Sequence, residues 1–250
     1  MRLRFGPIVL TSAALSAGAA AGLWLARRWG YGVREAERDV PRIEAPPEAD
    51  GPGLQTSDEG AGPRFHRRYR VRVARPTLSP EAVIAAIGED VNAFVPEELA
   101  RFEKTAGEPG ALSPGDEFLV HINGPWDGPV RVVEVEPTRF VLATREGHME
   151  AGQIEFRAEA APPHAPEASG DGADSGDDLV FTIESWARSR DALVDLVYDD
   201  LGVAKGAQQG MWTFFCRCVA ERSGGEAVGE IEVLTEREAP DPQGDAPEAP

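Results

Sequence analysis

Polar and apolar residues alternate along Phe65-His-Arg-Arg-Tyr-Arg-Val-Arg-Val-Ala74, with Tyr69, Val71 and Val73 in one row. That two-residue period predicts a half-buried strand whose arginines line the solvent face. The period then lengthens. Ser79 and Pro80 suit a helix cap and first helical position, and Val83, Ile84, Ile87, Val91 and Phe94 follow at helical spacing. Residues 96–104 read as a second short helix after the break at Pro96. Strand-like segments resume at 116–122, 128–136, 139–145, 152–158 and 178–187. Their short connections predict an antiparallel meander. From Ser189, a plausible cap, an apolar row runs through Leu193, Leu201, Ala204, Met211, Phe215 and Val219, and it ends at Ser223-Gly-Gly225. That row predicts one long amphipathic helix. An antiparallel sheet needs cover for its apolar face, and this helix is the natural cover. The expected class is α+β: a curved antiparallel sheet wrapped around a long C-terminal α-helix.

Gly and Pro gather outside these segments, which divides the 250 residues. Residues 31–64 read as a disordered linker, 160–177 as a disordered insertion in the 65–222 domain, and 223–250 as an acidic disordered tail. The net charge of −18 excludes a nucleic-acid binder that works through a basic face. Residues 1–30 differ again. Phe5 to Ala26 is an uncharged run, preceded by Arg2 and Arg4 and followed by Arg27 and Arg28. About 20 such residues can span a bilayer as a helix. The reading is an N-terminal transmembrane anchor, and the flanking arginines lean toward a cytoplasmic C-terminal domain. A cleavable signal peptide and secretion is the alternative. Cys216 and Cys218, the only cysteines, build neither a disulfide framework nor a zinc site.

The stretch Arg145-Glu-Gly-His-Met-Glu-Ala-Gly152 stands out for chemistry. If 148–150 is extended, His148 and Glu150 share a side, and the carboxylate would raise the imidazole pKa. The pair reads three ways: a structural joint between strands, a polar anchor in a ligand pocket, or an acid/base pair. Gly147 suits a positive φ, and Gly152 a bulge or close backbone approach. Trp126, in a proline/glycine turn, could rim a pocket. Tyr198, Gln208 and Trp212 fall on or near the buried helix face, and a buried glutamine needs partners. Two ligands are too few for a metal, and no cofactor motif is present.

Four blocks carry a family resemblance: 124–133, 147–156, 181–189, and 196–201 together with Gln208, Met211 and Trp212. In that order they resemble the plant and bacterial family called domain of unknown function 1990, over about residues 66–222. The family usually has proline after the histidine, where Met149 stands here. The resemblance implies the helix-grip fold of the START and birch-pollen-allergen-like (SRPBCC) proteins, and it carries no established reaction. The leading functional expectation is a membrane-anchored domain that binds a small apolar ligand between sheet and helix. The alternatives are an enzyme using His148 and Glu150, and a structural or interaction protein with a filled core.

Overall fold

The computed structural model describes residues 32–122, 127–164, 177–191 and 203–239, apart from the side chains of 203–207. Nine strands form one sheet: β1 (Val33–Val40), β2 (Ala61–Ala74), β3 (Ala100–Ala106), β4 (Glu117–Ile122), β5 (Gly128–Glu136), β6 (Arg139–Thr144), β7 (Glu150–Ala161), β8 (Asp178–Ser189) and β9 (Glu226–Glu238). Their order is β1-β9-β2-β8-β7-β6-β5-β4-β3. Every pairing is antiparallel except β1 with β9. Among the described residues two α-helices lie on one face, α1 (Pro80–Glu89) against β6 and β7, and α2 (Val203–Arg222) against β2, β8 and β9. Ser79 caps α1 by accepting from the Ala82 N–H at 3.3 Å, as its position before Pro80 suggests.

Inward residues follow the pleat. Val71 pairs with Phe181, Tyr69 with Ile183, and Phe140 with Phe156. A single apolar cluster runs from Phe102 on β3 to Ile231 on β9 and takes in Phe215 and Val219 of α2. A flat sheet this broad would be about 40 Å wide at the usual strand spacing, whereas a helix is only about 10–12 Å across. The sheet must therefore coil around its helices for one core to touch both flanks. At the centre, Phe215 stacks on Phe94 and Phe181 with ring centroids 5.5 and 5.8 Å away, and it tilts against Phe156 and Trp212.

Four expectations need correction. The second short helix at 96–104 is instead a 3₁₀ turn (Val91–Phe94) followed by β3. Ala100 and Phe102 are buried there while Arg101 and Glu103 are exposed, which is a strand's period. Asn92 of the turn fastens the free edge of β3. It donates to the Phe102 carbonyl at 2.9 Å and accepts from the Phe102 N–H at 2.7 Å. The supposed linker is ordered: it contains β1, and Ile43 and Ser57 are buried. The supposed acidic tail contains β9, where Ile231 and Val233 are buried between glutamates that point outward. The long helix is therefore not the last element, and Ser189 closes β8 instead of capping a helix. Residues 192–202, the run 5–26 and most of the insertion lie outside the described residues. Among the described residues, no helix is long and apolar enough to cross a membrane.

The outer face carries a ladder of alternating charges across seven strands. Arg38 pairs with Glu236, which meets His66 Nδ1 at 2.7 Å. His66 Nε2 lies 3.2 Å from Glu184, which accepts from Arg157 at 3.1 Å. Arg157 reaches Glu155 at 3.3 Å, Glu155 reaches Arg139 at 3.1 Å, and Arg139 reaches Glu136 at 2.9 Å. Burial pulls the His66 pKa down, but hydrogen bonds and attraction to its two carboxylates more than offset this and leave it raised. Its ring also stacks on Trp186 at 5.2 Å. The expected outward row of β2 holds for Arg68, Arg70 and Arg72, which alternate with the buried Tyr69, Val71 and Val73, but not for Arg67, which is buried.

Candidate functional site

The Gly-His-Met-Glu stretch is the tip of the β6–β7 hairpin. The His148 N–H donates to the Arg145 carbonyl at 3.0 Å, and Gly147 between them has φ +98°. The hairpin is splayed at this end, and Gln55 fills the gap. Its N–H donates to the Thr144 carbonyl at 2.9 Å, and its carbonyl accepts from Gly152 at 3.0 Å. Its side-chain amide donates to the carbonyls of His148 and Glu150 at 3.2 and 2.9 Å. The Pro/Gly-rich segment before β2 is thus a strap that ends inside the hairpin. Gly152 has φ +147°, and a Cβ there would come within 2.1 Å of the Trp186 carbonyl oxygen on β8.

The expected His148–Glu150 side-chain pair does not form. His148 Nδ1 instead faces the Glu150 backbone, 2.9 Å from its N–H and 3.0 Å from its carbonyl oxygen. The ring fills space left by Gly128, where a Cβ would meet Nε2 at 2.7 Å. Gly128 shares the pleat parity of Val130 and Val132, so the imidazole sits on the helix-facing side. Burial holds its pKa below the usual histidine value, and the nearby Glu150 charge only partly opposes this. The expected upward shift is therefore reversed, because desolvation outweighs the carboxylate.

The Glu150 carboxylate has other partners. It accepts from Arg67 Nη1 at 3.2 Å and from Gln208 Nε2 of α2 at 3.3 Å. Arg67 belongs to the inward row of β2, with Tyr69, Val71 and Val73, and is only 5% exposed. Its cross-strand neighbours are Ser185 on β8 and Thr235 on β9, both buried hydroxyls. Its guanidinium lies 4.7 Å from the Phe65 ring centre, and that of Arg237 lies 6.0 Å from the same ring. Burial raises the Tyr69 phenol pKa, which leaves it a neutral donor. Among the described residues, Arg67 Nε and Gln208 Oε1 are buried without a hydrogen-bond partner. The apolar face therefore ends in a desolvated polar cluster with unused bonding capacity.

Of the sequence candidates, the structure brings Glu150 and Gln208 together and sets His148 over Gly128. Trp212 is a core wall residue, packed edge-on against Phe156 at 5.6 Å. Trp126 and Tyr198 lie outside the described residues. Arg67 was missed because the arginines of β2 were read as one outward set. The signal was present: strict alternation puts position 67 in the row of Tyr69. Cys216 is fully buried, and burial raises its thiol pKa, so it is a packing residue and not a nucleophile.

No protein-family model matches the chain, and no curated protein matches it in sequence. Among solved structures it is similar to norcoclaurine synthase from Thalictrum flavum, solved in complex with dopamine and hydroxybenzaldehyde. That match has 12% identity, covers 72% of this chain and 98% of that one, and has a TM-score of 0.41. Protein Ms6760 from Mycobacterium smegmatis matches at 14% identity over 70% and 97% of the two chains, with a TM-score of 0.31. Ara h 8.0201 matches at 12% identity over 63% and 97%, with a TM-score of 0.34.

Proposed function

We propose that this domain binds a small, mainly apolar molecule between the sheet and α2, with the molecule's polar end at Arg67, Glu150 and Gln208. One observation carries the reading: the buried Arg67 guanidinium converges with Glu150 and Gln208 at the end of an otherwise apolar face, and Gln208 Oε1 has no partner among the described residues. Buried polar atoms are nearly always bonded. Apolar walls with a few convergent polar groups are the usual make-up of a small-molecule site. Acid/base chemistry by His148 and Glu150 fits less well. The imidazole Nδ1 is engaged by the Glu150 backbone and the carboxylate by Arg67 and Gln208. Kinship with the domain of unknown function 1990 family, inside the helix-grip group, belongs to the same proposal. It is supported by the order of β2, two short helical segments, β3 to β8, and α2. Membrane anchoring through residues 5–26 is a separate proposal that rests on that uncharged run alone.

The test uses the full chain purified from a bacterial culture. Extraction into organic solvent followed by mass spectrometry is expected to release one class of apolar molecule. Protein that arrives empty is expected to bind 1-aminoanthracene, a neutral apolar fluorophore, with a blue-shifted emission. An empty protein that also leaves the fluorophore unchanged would overturn the proposal and favour a filled, structural core.

A further inference from the structure

We infer that the end group held at this site is an anion, a carboxylate or phosphate monoester at the end of an apolar chain. The inference rests on the binding reading above and adds the chemistry of the head. The cluster is rich in donors. Arg67 is desolvated, and only one of its nitrogens, Nη1, has a hydrogen bond among the described residues, a single 3.2 Å contact to Glu150. Its Nε–H is buried and unused. A guanidinium presents its N–H groups as a planar fork that suits a two-oxygen anion. Hydroxyls flank that fork in the sheet, Ser185 on one side and Thr235 on the other, with Tyr69 next in the same row. Arg237 adds a second guanidinium across the Phe65 ring. A cationic head would meet both guanidinium groups, and a wholly apolar end would leave the buried Arg67 fork with its single 3.2 Å bond to Glu150.

Glu150 fits the scheme as the resident anion. It holds Arg67 and Gln208 while no ligand is bound, and an incoming carboxylate competes with it or shares the fork. Removing its charge should therefore help an acidic ligand and not hinder it.

The experiment displaces 1-aminoanthracene from the full chain with four chain-matched competitors below their micellar concentrations: dodecanoic acid, dodecyl phosphate, methyl dodecanoate and dodecanol. The acid or the phosphate is expected to displace the probe at a concentration about ten-fold lower than the ester or alcohol. The stronger of the two names the head group. In Glu150→Gln, displacement by the anion is expected to improve several-fold. In Arg67→Met, the acid is expected to fall to the level of the ester while the neutral probe still binds. If ester and alcohol compete as well as the acid in the parent, the anion inference is overturned and the binding reading stands. If Glu150→Gln weakens the acid, the Glu150 charge favours the bound head, which an anion cannot explain, and the inference is also overturned. Failure of the probe to bind at all removes the binding reading, and this inference with it.

Discussion

Gly152→Ala is expected to leave most of the protein unfolded at temperatures where the parent is stable. The reason is local and steric. Gly152 opposes Ala187 in the β7–β8 ladder with φ +147°, which L side chains rarely adopt. A Cβ would lie 2.1 Å from the Trp186 carbonyl oxygen and 2.8 Å from the Ala187 Cα, and neither atom belongs to a side chain that could rotate away. Backbone strain of this kind costs about 1–3 kcal/mol, and separating two central strands adds to it. The same N–H also holds the Gln55 strap, through its 3.0 Å bond to the Gln55 carbonyl. Thermal melting by circular dichroism checks this, with Gly210→Ala as the control. A Cβ at Gly210 meets nothing within 4 Å, and alanine there should stabilise α2 by up to about 1 kcal/mol. Equal melting temperatures for Gly152→Ala and the parent would mean that β7 and β8 are not this close.

Phe215→Ala should be nearly as damaging, for the opposite reason: it leaves a hole. Phe215 is fully buried and touches four aromatic rings, from the 3₁₀ turn (Phe94), β7 (Phe156), β8 (Phe181) and its own helix (Trp212). Phe94, Phe156 and Phe181 are held by the 3₁₀ turn and by the paired strands β7 and β8, so they cannot collapse together into the space. Truncating a buried phenylalanine typically costs about 3–5 kcal/mol, against a whole-domain stability of roughly 5–15 kcal/mol. Urea titration is expected to show the midpoint falling sharply with little change in slope. A loss below about 1 kcal/mol would show that α2 does not pack into the sheet's inner face through this residue.

The same two residues show what could be read from the chain and what could not. The helical row ending in Phe215 and Val219 was legible because its period is local, and so was the Ser79-Pro80 start of α1. The glycines of the hairpin were legible too, since only glycine takes a positive φ cheaply. What escaped depended on distant partners. β1 and β9 are paired in parallel from Val33–Ile231 to Val40–Glu238, segments far apart in sequence, and composition alone marked both as unstructured. Residues 96–104 carry a helix-like polar mix, yet pairing of Phe102 with Val120 on β4 decides for a strand. Non-local pairing of this kind commonly overrides propensity.

The candidate site divides in the same way. His148 and Glu150 drew attention through their spacing, and the inference that they share a side of the sheet was sound. Their bonding was not legible. The Glu150 backbone takes Nδ1, and the carboxylate is drawn to an arginine more than eighty residues earlier. Arg67 was hidden among five arginines in a run of nine residues, and only its parity with Tyr69 distinguished it. That parity matters for function because it buries one guanidinium inside an apolar layer, where charge is costly unless it is paired.

The most direct test of the account is a two-dimensional amide NMR titration of the full chain with dodecanoic acid. Perturbed resonances are expected at Arg67, Glu150, Ser185, Gln208 and Thr235, around the inner face, while His66, Glu184 and Arg157 on the outer ladder stay in place. Shifts gathered on the outer face, or no shifts while the protein remains folded, would contradict a binding site between the sheet and α2.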